Sequence, residues 1–358
     1  MAFIVSYSLV FILSVVGNAY IIAIVLRNKQ MHSTINYLIA NMASSDLAGS
    51  VAAISPILSY LKNMSYEWKV AGTMGSILCK AGPFIRDVSI TVSILSMIAI
   101  GFDRFFAVIF PMNLVPRFLT IRIALPVIWF IAIATFSIHL VTFRLVPLLD
   151  AHLCYMAWPD NLPDKSSLIF FLAILILYFI LPFVIITILY LAIAHTIKQQ
   201  KIPGQQSTDI EKKRRKQNHG IIKMAFTIVA CFFVCWFPYH TLLLLELFVW
   251  KRKENIPAAL LPFYGIFVES TIILSYVSFF INPFVCFFFS SKFRKYLRNL
   301  FPFNIFAVRR IGIMDSSSRR NDASFPQRQH TTMLSMNIVH SQQDDDQLER
   351  IKSNKAEN

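Results

Sequence analysis

Seven stretches of this 358-residue chain are long and apolar enough to dictate what it can fold into. They run from Phe3 to Leu26, Asn36 to Leu61, Ile77 to Phe110, Ile121 to Pro147, Ser167 to Ile197, Ile221 to Trp250 and Ala259 to Ser290. A helix crosses a bilayer with roughly 20 apolar residues, because the hydrocarbon is about 30 Å thick and each residue rises about 1.5 Å. Backbone groups in lipid must be paired within the structure, so runs this long and continuous read as helices, not as barrel strands. The expected fold class is an all-α membrane protein, a seven-transmembrane helix bundle. Composition agrees, since 56% of residues are hydrophobic and 15% charged, more apolar than a soluble core requires.

A net charge of +15 raises the question of nucleic acid. The basic residues, however, fall in short clusters between the apolar runs, with no basic-aromatic binding module, so lipid headgroups and cytosolic partners explain them and nucleic acid does not. Their placement also orients the chain. One side carries Arg27 and Lys29, then Arg104, Arg117 and Arg122, then the run from Lys198 to Lys223, then Lys292, Arg294, Lys295 and Arg298. The other carries fewer, among them Lys62, Lys69, Lys80, Arg144 and Lys165. The richer side is expected to be cytosolic, which sets the N-terminus outside and the C-terminus inside, in a multi-pass protein of the plasma membrane. The first run starts almost at Met1 without a cleavage pattern and reads as a spanning helix, not a signal peptide; whether an extracellular segment precedes it stays open.

Other features fit this orientation. Asn63-Met64-Ser65 is a glycosylation sequon on the outer side. Of five cysteines, Cys79 at the outer start of span three and Cys154 in the second outer loop lie where an oxidising compartment permits a disulfide. Cys231, Cys235 and Cys286 lie within spans. Residues 303–358 are polar and expected to be a disordered cytoplasmic tail.

One set of residues per span follows in order: Gly17-Asn18; "NMASSDL" with Asn41 and Asp46; Cys79 and then "DRF" from Asp103; Trp129; Pro182 and Tyr190; "FFVCWFP" with Phe232, Trp236 and Pro238; and "NPFVC" from Asn282. Through this ordered set, over Gly17 to about Leu300, the chain resembles a rhodopsin-like G protein-coupled receptor. Cys79-Lys80 and the style of span three resemble the neuropeptide receptor branch.

The resemblance implies a role for residues that the sequence alone leaves open. Asp103 and Arg104, at the cytosolic end of span three, become a latch that frees the arginine for a heterotrimeric G protein; on position alone they are a snorkelling charge pair. Tyr190, Phe232, Trp236, Pro238, Asn282 and Pro283 join them in the activation switch. Asp46, costly inside a bilayer, lines a polar pocket with Ser93, Ser278 and Asn282; the resemblance makes it a sodium site, and a hydrogen-bonded water network is the alternative. Beyond that ion no cofactor is expected. Two departures stand out, Phe105 for the commoner tyrosine and Cys286 for the tyrosine of the NPxxY motif, so the link from span seven to Tyr190 is expected to be weakened or built differently.

The ligand candidates are Arg86, Asp87, Tyr239, His240, Glu246, Glu269 and Tyr276. Arg86 stands where an amine receptor carries its aspartate, and Tyr276 where an opsin needs its retinal lysine, so monoamines and Schiff-base light sensing are set aside. Arg86 either receives a ligand anion, carboxyl or carbonyl, or pairs with Asp87 or Glu269. Glu246 and Glu269 attract a basic peptide side chain, although Lys251, Arg252 and Lys253 surround them. A peptide leads, a small anionic or lipid ligand comes second, and a decoy that binds without signalling is a third reading.

No enzyme is expected: His139, His195, His219 and His240 lie on different helices without metal-ligand spacing, and there is no phosphate-cradling glycine loop or nucleophile elbow. A transporter would show related halves, and no repeat joins the first and last three spans. On the inner side, "EKKRRKQNHG" in the loop from Lys198 to Lys223 offers charge to a G protein or anionic lipid. Residues 291–302 read as an interfacial helix, with Phe293, Tyr296, Leu297 and Leu300 on one face. Ser316, Ser317, Ser318, Ser324, Thr331 and Thr332 are phosphorylation candidates for receptor kinases and arrestin.

Overall fold

The computed structural model describes residues 1–63, 65, 67–110, 120–148, 151–159, 165–199, 209–250 and 256–300. The basic triplet 251–253 and the tail from 301 onward, with its phosphorylation candidates, lie outside the described residues. Seven spans are built from α1 (Ala2–Arg27), α2 (Thr34–Asn63), α3 (Gly72–Ile109), α4 (Ile121–Phe136) with the short α5 (His139–Thr142), α6 (Ser166–Leu175) continued through a π-helical turn into α7 (Leu181–Gln199), α8 (Asp209–Leu244) ending in a second π turn, and α9 (Leu261–Phe289). Six of the seven are long and apolar enough on their own to cross a bilayer. The other, α2, has 30 residues but spends part of its composition on an inward polar face with buried Ser45, Asp46 and Ser50.

The bundle is polar inside and apolar outside, as a hydrocarbon solvent demands. Ser14, Asn18, Ser89, Ser93 and Asn282 are buried with Asp46, while Phe130, Leu191 and Phe288 are 73%, 65% and 67% exposed. Helices α1, α2 and α3 pack closely. A Cβ on Gly49 of α2 would lie 2.2 Å from Ser89 Oγ of α3, so only glycine permits that approach. Between α4, α2 and α3, Trp129 Nε1 donates to Asn41 Oδ1 at 2.9 Å and Asn41 Nδ2 donates to Ser96 Oγ at 3.0 Å.

Two boundaries differ from the sequence reading. Span four does not continue to Pro147: the helix ends at Thr142, and Phe143–Leu148 forms β1, paired antiparallel with β2 (Ala151–Met156) with Leu145 opposite Cys154. That stretch looked membranous because it is apolar, but part of it is buried against protein, with Phe143 edge-on to His139 at 5.3 Å. At the opposite end, α8 begins at Asp209 and not near Ile221, so all of "EKKRRKQNHG" is helix and not loop. Polar, charged residues prolong a helix beyond the bilayer without a hydropathy signal.

Cys79 and Cys154 are disulfide-bonded, with Cα atoms 5.6 Å apart, and fasten the β-hairpin to the start of α3. Losing such a bridge costs about 2–5 kcal/mol. Cys79→Ser and Cys154→Ser are each expected to impair cell-surface delivery or ligand binding, and two free thiols in non-reduced peptide mass spectra would contradict the pairing.

Last comes α10 (Ser291–Leu300). Phe293 is buried, Tyr296 donates its hydroxyl to Gln30 Oε1 at 2.6 Å, and Arg294 Nη1 donates to the Phe287 carbonyl at 3.2 Å. The segment is thus held to the inner ends of α1 and α9 by one aromatic face while Lys292, Lys295 and Arg298 stay exposed.

Candidate functional site

At the disulfide end a cavity of about 290 Å³ opens between α3, α5, α6, α8 and α9. Five of the seven sequence candidates line it: Arg86, Asp87, Tyr239, His240 and Tyr276. Arg86 forms a two-pronged pair with its neighbour, Nε to Asp87 Oδ1 at 2.6 Å and Nη2 to Oδ2 at 2.9 Å. His139 Nε2 approaches the same Asp87 Oδ2 at 2.7 Å. Arg86 is therefore paired with Asp87 and not with Glu269. The charge of the guanidinium is compensated on the spot, and His139 shares the Asp87 Oδ2 with Arg86 Nη2. Around this trio the walls are aromatic: His240 lies 4.4 Å from the Phe179 ring, and Trp236 meets Tyr239 edge-on at 5.8 Å. His139 Nδ1 and His240 Nδ1 are buried without hydrogen-bond partners among the described residues.

His139 was not among the sequence candidates. A lone histidine at the end of a span carries no local signal, and its partner is 52 positions away.

The two remaining ligand candidates separate. Glu246 lies in the π turn that ends α8, accepts a hydrogen bond from the Tyr264 hydroxyl, and lines no described cavity. Glu269 accepts from the Tyr7 hydroxyl at 2.9 Å and faces a different chamber. The two acids thus have different surroundings, Glu246 held at the contact where Tyr264 of α9 also meets Trp250 and Glu269 held by Tyr7 of α1.

Beneath the cavity a run of polar contacts leads across the bundle. Trp236, with Phe232 at 5.9 Å, donates from Nε1 to Ser278 Oγ at 3.1 Å, and Ser278 donates to the Ser275 carbonyl at 2.6 Å. Pro238 follows within α8 and Pro283 within α9, each removing a backbone donor at a point where the helix can bend. Asn282 Nδ2 donates to Asp46 Oδ2 at 2.7 Å, and Ser93 Oγ donates to Asp46 Oδ1 at 2.5 Å. Ser45 Oγ lies 3.1 Å from Ser93 Oγ. Ser278 therefore serves Trp236 and not Asp46, and both carboxylate oxygens of Asp46 are met by protein donors.

At the other end of α3, Arg104 Nη2 and Nε both donate to Asp103 Oδ2, at 2.5 and 3.0 Å. The side chains are 18% and 10% exposed. The two side chains are thus paired with each other. Tyr190 lies on the inner half of α7 with its ring edge-on to Phe226 at 6.0 Å and its hydroxyl buried without a partner among the described residues. Cys286 is fully buried and offers no hydroxyl where a tyrosine would. Cys286→Tyr is expected to change ligand-independent signalling; identical basal nucleotide exchange in wild type and variant would show that another contact serves instead. Asn63 closes α2 at the disulfide end, exposed, its amide donating to the Ser59 carbonyl at 2.9 Å.

The profile of the family described as seven-transmembrane receptor (rhodopsin family) matches residues 17–285. The chain belongs to this family of rhodopsin-like G protein-coupled receptors. Members are receptors, not enzymes. Among curated relatives, the QRFP-like peptide receptor of Branchiostoma floridae is 27% identical over 297 residues, covering 81% of this chain and 74% of the relative. The neuromedin-K receptor of Rattus norvegicus is 28% identical over 70% of this chain and 55% of its own length. The substance-P receptor of Aquarana catesbeiana is 29% identical over 68% and 58%. The receptor thus spans somewhat more than half the length of the last two. All three relatives bear the names of peptide receptors, in keeping with the neuropeptide branch seen in the motifs.

Proposed function

We propose that the receptor is operated by a peptide that enters from the extracellular, disulfide-bridged end and that it activates heterotrimeric G proteins at the end carrying Arg104. The observation that carries the peptide reading is the Arg86–Asp87–His139 trio. An anionic ligand gains least where the arginine already holds a bidentate carboxylate. A peptide backbone or terminal amide offers both carbonyls for Arg86 and N–H groups for Asp87, which line the cavity side by side within aromatic walls. The names of the relatives support the same class.

Coupling follows from differential binding. A ligand shifts the receptor only by as much as it binds one state better than the other. Trp236 lies in the wall of the cavity and is tied to α9 through Ser278, so a ligand that displaces the indole loosens α8 from α9 where Pro238 lets the helix bend. Outward movement of the inner end of α8 would uncover Arg104, and its exchange of Asp103 for a G protein contact completes the signal. Asp46 serves in this reading as a hydrogen-bond hub between α2, α3 and α9 and not as an ion site. Replacing sodium with choline should then move agonist affinity by less than about twofold, because an ion without differential affinity shifts nothing. A tenfold gain in choline would restore the sodium reading. We further assign the receptor to the plasma membrane with its C-terminus in the cytosol, and Asn63 as a glycan acceptor.

A synthetic peptide library screened on cells expressing the receptor with a promiscuous Gα tests the ligand class. Activation by peptides and not by small carboxylates or lipids is the expected result; the reverse would sink the peptide reading.

A further inference from the structure

Just before α4 the chain carries a hydroxyl that the bundle leaves unused. Thr120 precedes Ile121, where α4 begins, and lies at the Arg104 end of the bundle, since the far end of α4 leads to His139 and the deep cavity. Its backbone is extended, with φ −62° and ψ 130°, and its carbonyl accepts from the Ile123 and Ala124 N–H groups at 2.9 and 3.0 Å. A threonine in this place ordinarily turns its hydroxyl back onto the helix. Thr120 does not: the side chain is exposed and makes no cap hydrogen bond. Other hydroxyls at the same end are occupied. Ser33 Oγ accepts from the Asn36 N–H at 3.4 Å, Thr196 Oγ1 donates to the Ala192 carbonyl at 3.0 Å, and Ser290 Oγ accepts from the Phe293 N–H at 3.4 Å.

The residues around Thr120 add charge of one sign. The sequence reads Arg117-Phe118-Leu119-Thr120-Ile121-Arg122, with one arginine three positions before the hydroxyl and another two after it. Arg122 is exposed, and among the described residues no carboxylate pairs with it. Arg117 lies outside the described residues and enters only through its place in the sequence. Kinases choose substrates by charge pattern, and an acidic kinase surface is complementary to cations on both sides of a free hydroxyl. Thr34 and Ser291 have Met31 and Phe288, not arginine, three positions before them.

We propose that Thr120 is a phosphorylation site for a protein kinase that selects basic substrates, and that its phosphate lowers G protein coupling. The kinase transfers the γ-phosphoryl group of ATP: an O–P bond forms at Thr120 Oγ1, the bond to the departing ADP oxygen breaks, and the hydroxyl proton passes to the base of the kinase. The product adds a charge of about −1.5 to −2 beside Arg122, at the end of the bundle that presents Arg104. A surface that offers cations to the G protein thereby gains an anion. The effect on coupling rests on the G protein reading above, whereas the modification itself does not.

Full-length receptor in nanodiscs, incubated with ATP and the catalytic domains of protein kinases A and C, is mapped for phosphopeptides by mass spectrometry. Phosphate is expected on Thr120, and Arg117→Gln combined with Arg122→Gln should slow its incorporation about tenfold. Thr120→Ser is expected to accept phosphate at this position. Thr120→Val keeps the shape without the hydroxyl and keeps any phosphate elsewhere, so kinase-treated Thr120→Val should accelerate GDP release severalfold more than kinase-treated wild type. Absence of phosphate from Thr120 in wild type, a result that needs no variant, would overturn the proposal. So would incorporation that the two arginine substitutions leave unchanged, or equal GDP release from treated wild type and treated Thr120→Val. Failure of the G protein reading is a separate result: untreated receptor accelerates GDP release on no Gα, yet Thr120 is still phosphorylated in an arginine-dependent manner.

Discussion

Arg104→Ala is expected to reduce G protein activation by at least about a hundredfold while leaving surface expression and ligand binding largely intact, the size of effect that follows when a buried charge contact of about 3 kcal/mol is lost. The latch pair is largely buried at the end of α3, and both contacts run from Arg104 to one oxygen of Asp103. Removing the arginine deletes the group meant to meet the G protein. The ligand cavity lies at the opposite end and shares no residue with it. The measurement is nucleotide exchange on purified G protein by purified variant. Normal exchange would show that Arg104 is not the transducing contact.

The other large effect is expected at Arg86. Truncation to alanine leaves Asp87 in the cavity with only His139 for company, and removing one partner of a desolvated pair costs about 2–5 kcal/mol, or roughly thirty- to several-thousand-fold in affinity. Arg86→Ala should lower agonist affinity in that range. Arg86→Lys should recover only part of it, since an ammonium cannot reproduce the two-pronged contact. Radioligand or fluorescent-peptide binding to intact cells reads both variants, and affinities within threefold of wild type would remove Arg86 from the ligand site.

The bundle was legible because its evidence is local and periodic: seven apolar runs of membrane length, each with a family residue in order. The pairing of Asp103 with Arg104 was equally legible, since the two are sequence neighbours. What escaped sequence reading depends on where the chain turns. Residues 143–147, apolar except for Arg144, continue the hydropathy of span four but leave it for a hairpin, because burial against protein and burial in lipid look alike in composition. His139 gains meaning only from Asp87 across that turn. Glu246 and Glu269 looked equivalent because both lie near the ends of neighbouring spans, yet a π turn closes α8 while Glu269 stays on regular helix facing Tyr7.

One molecule is expected both to bind a ligand outside and to drive nucleotide exchange inside. Reconstituting the purified receptor in nanodiscs with each class of Gα and measuring ligand binding and GDP release on the same preparation tests it most directly. A peptide which binds saturably is expected also to accelerate GDP release from at least one Gα, and Arg104→Ala is expected to retain the binding and lose the acceleration. Saturable peptide binding with no acceleration on any Gα would contradict it and identify a receptor that captures its ligand without signalling.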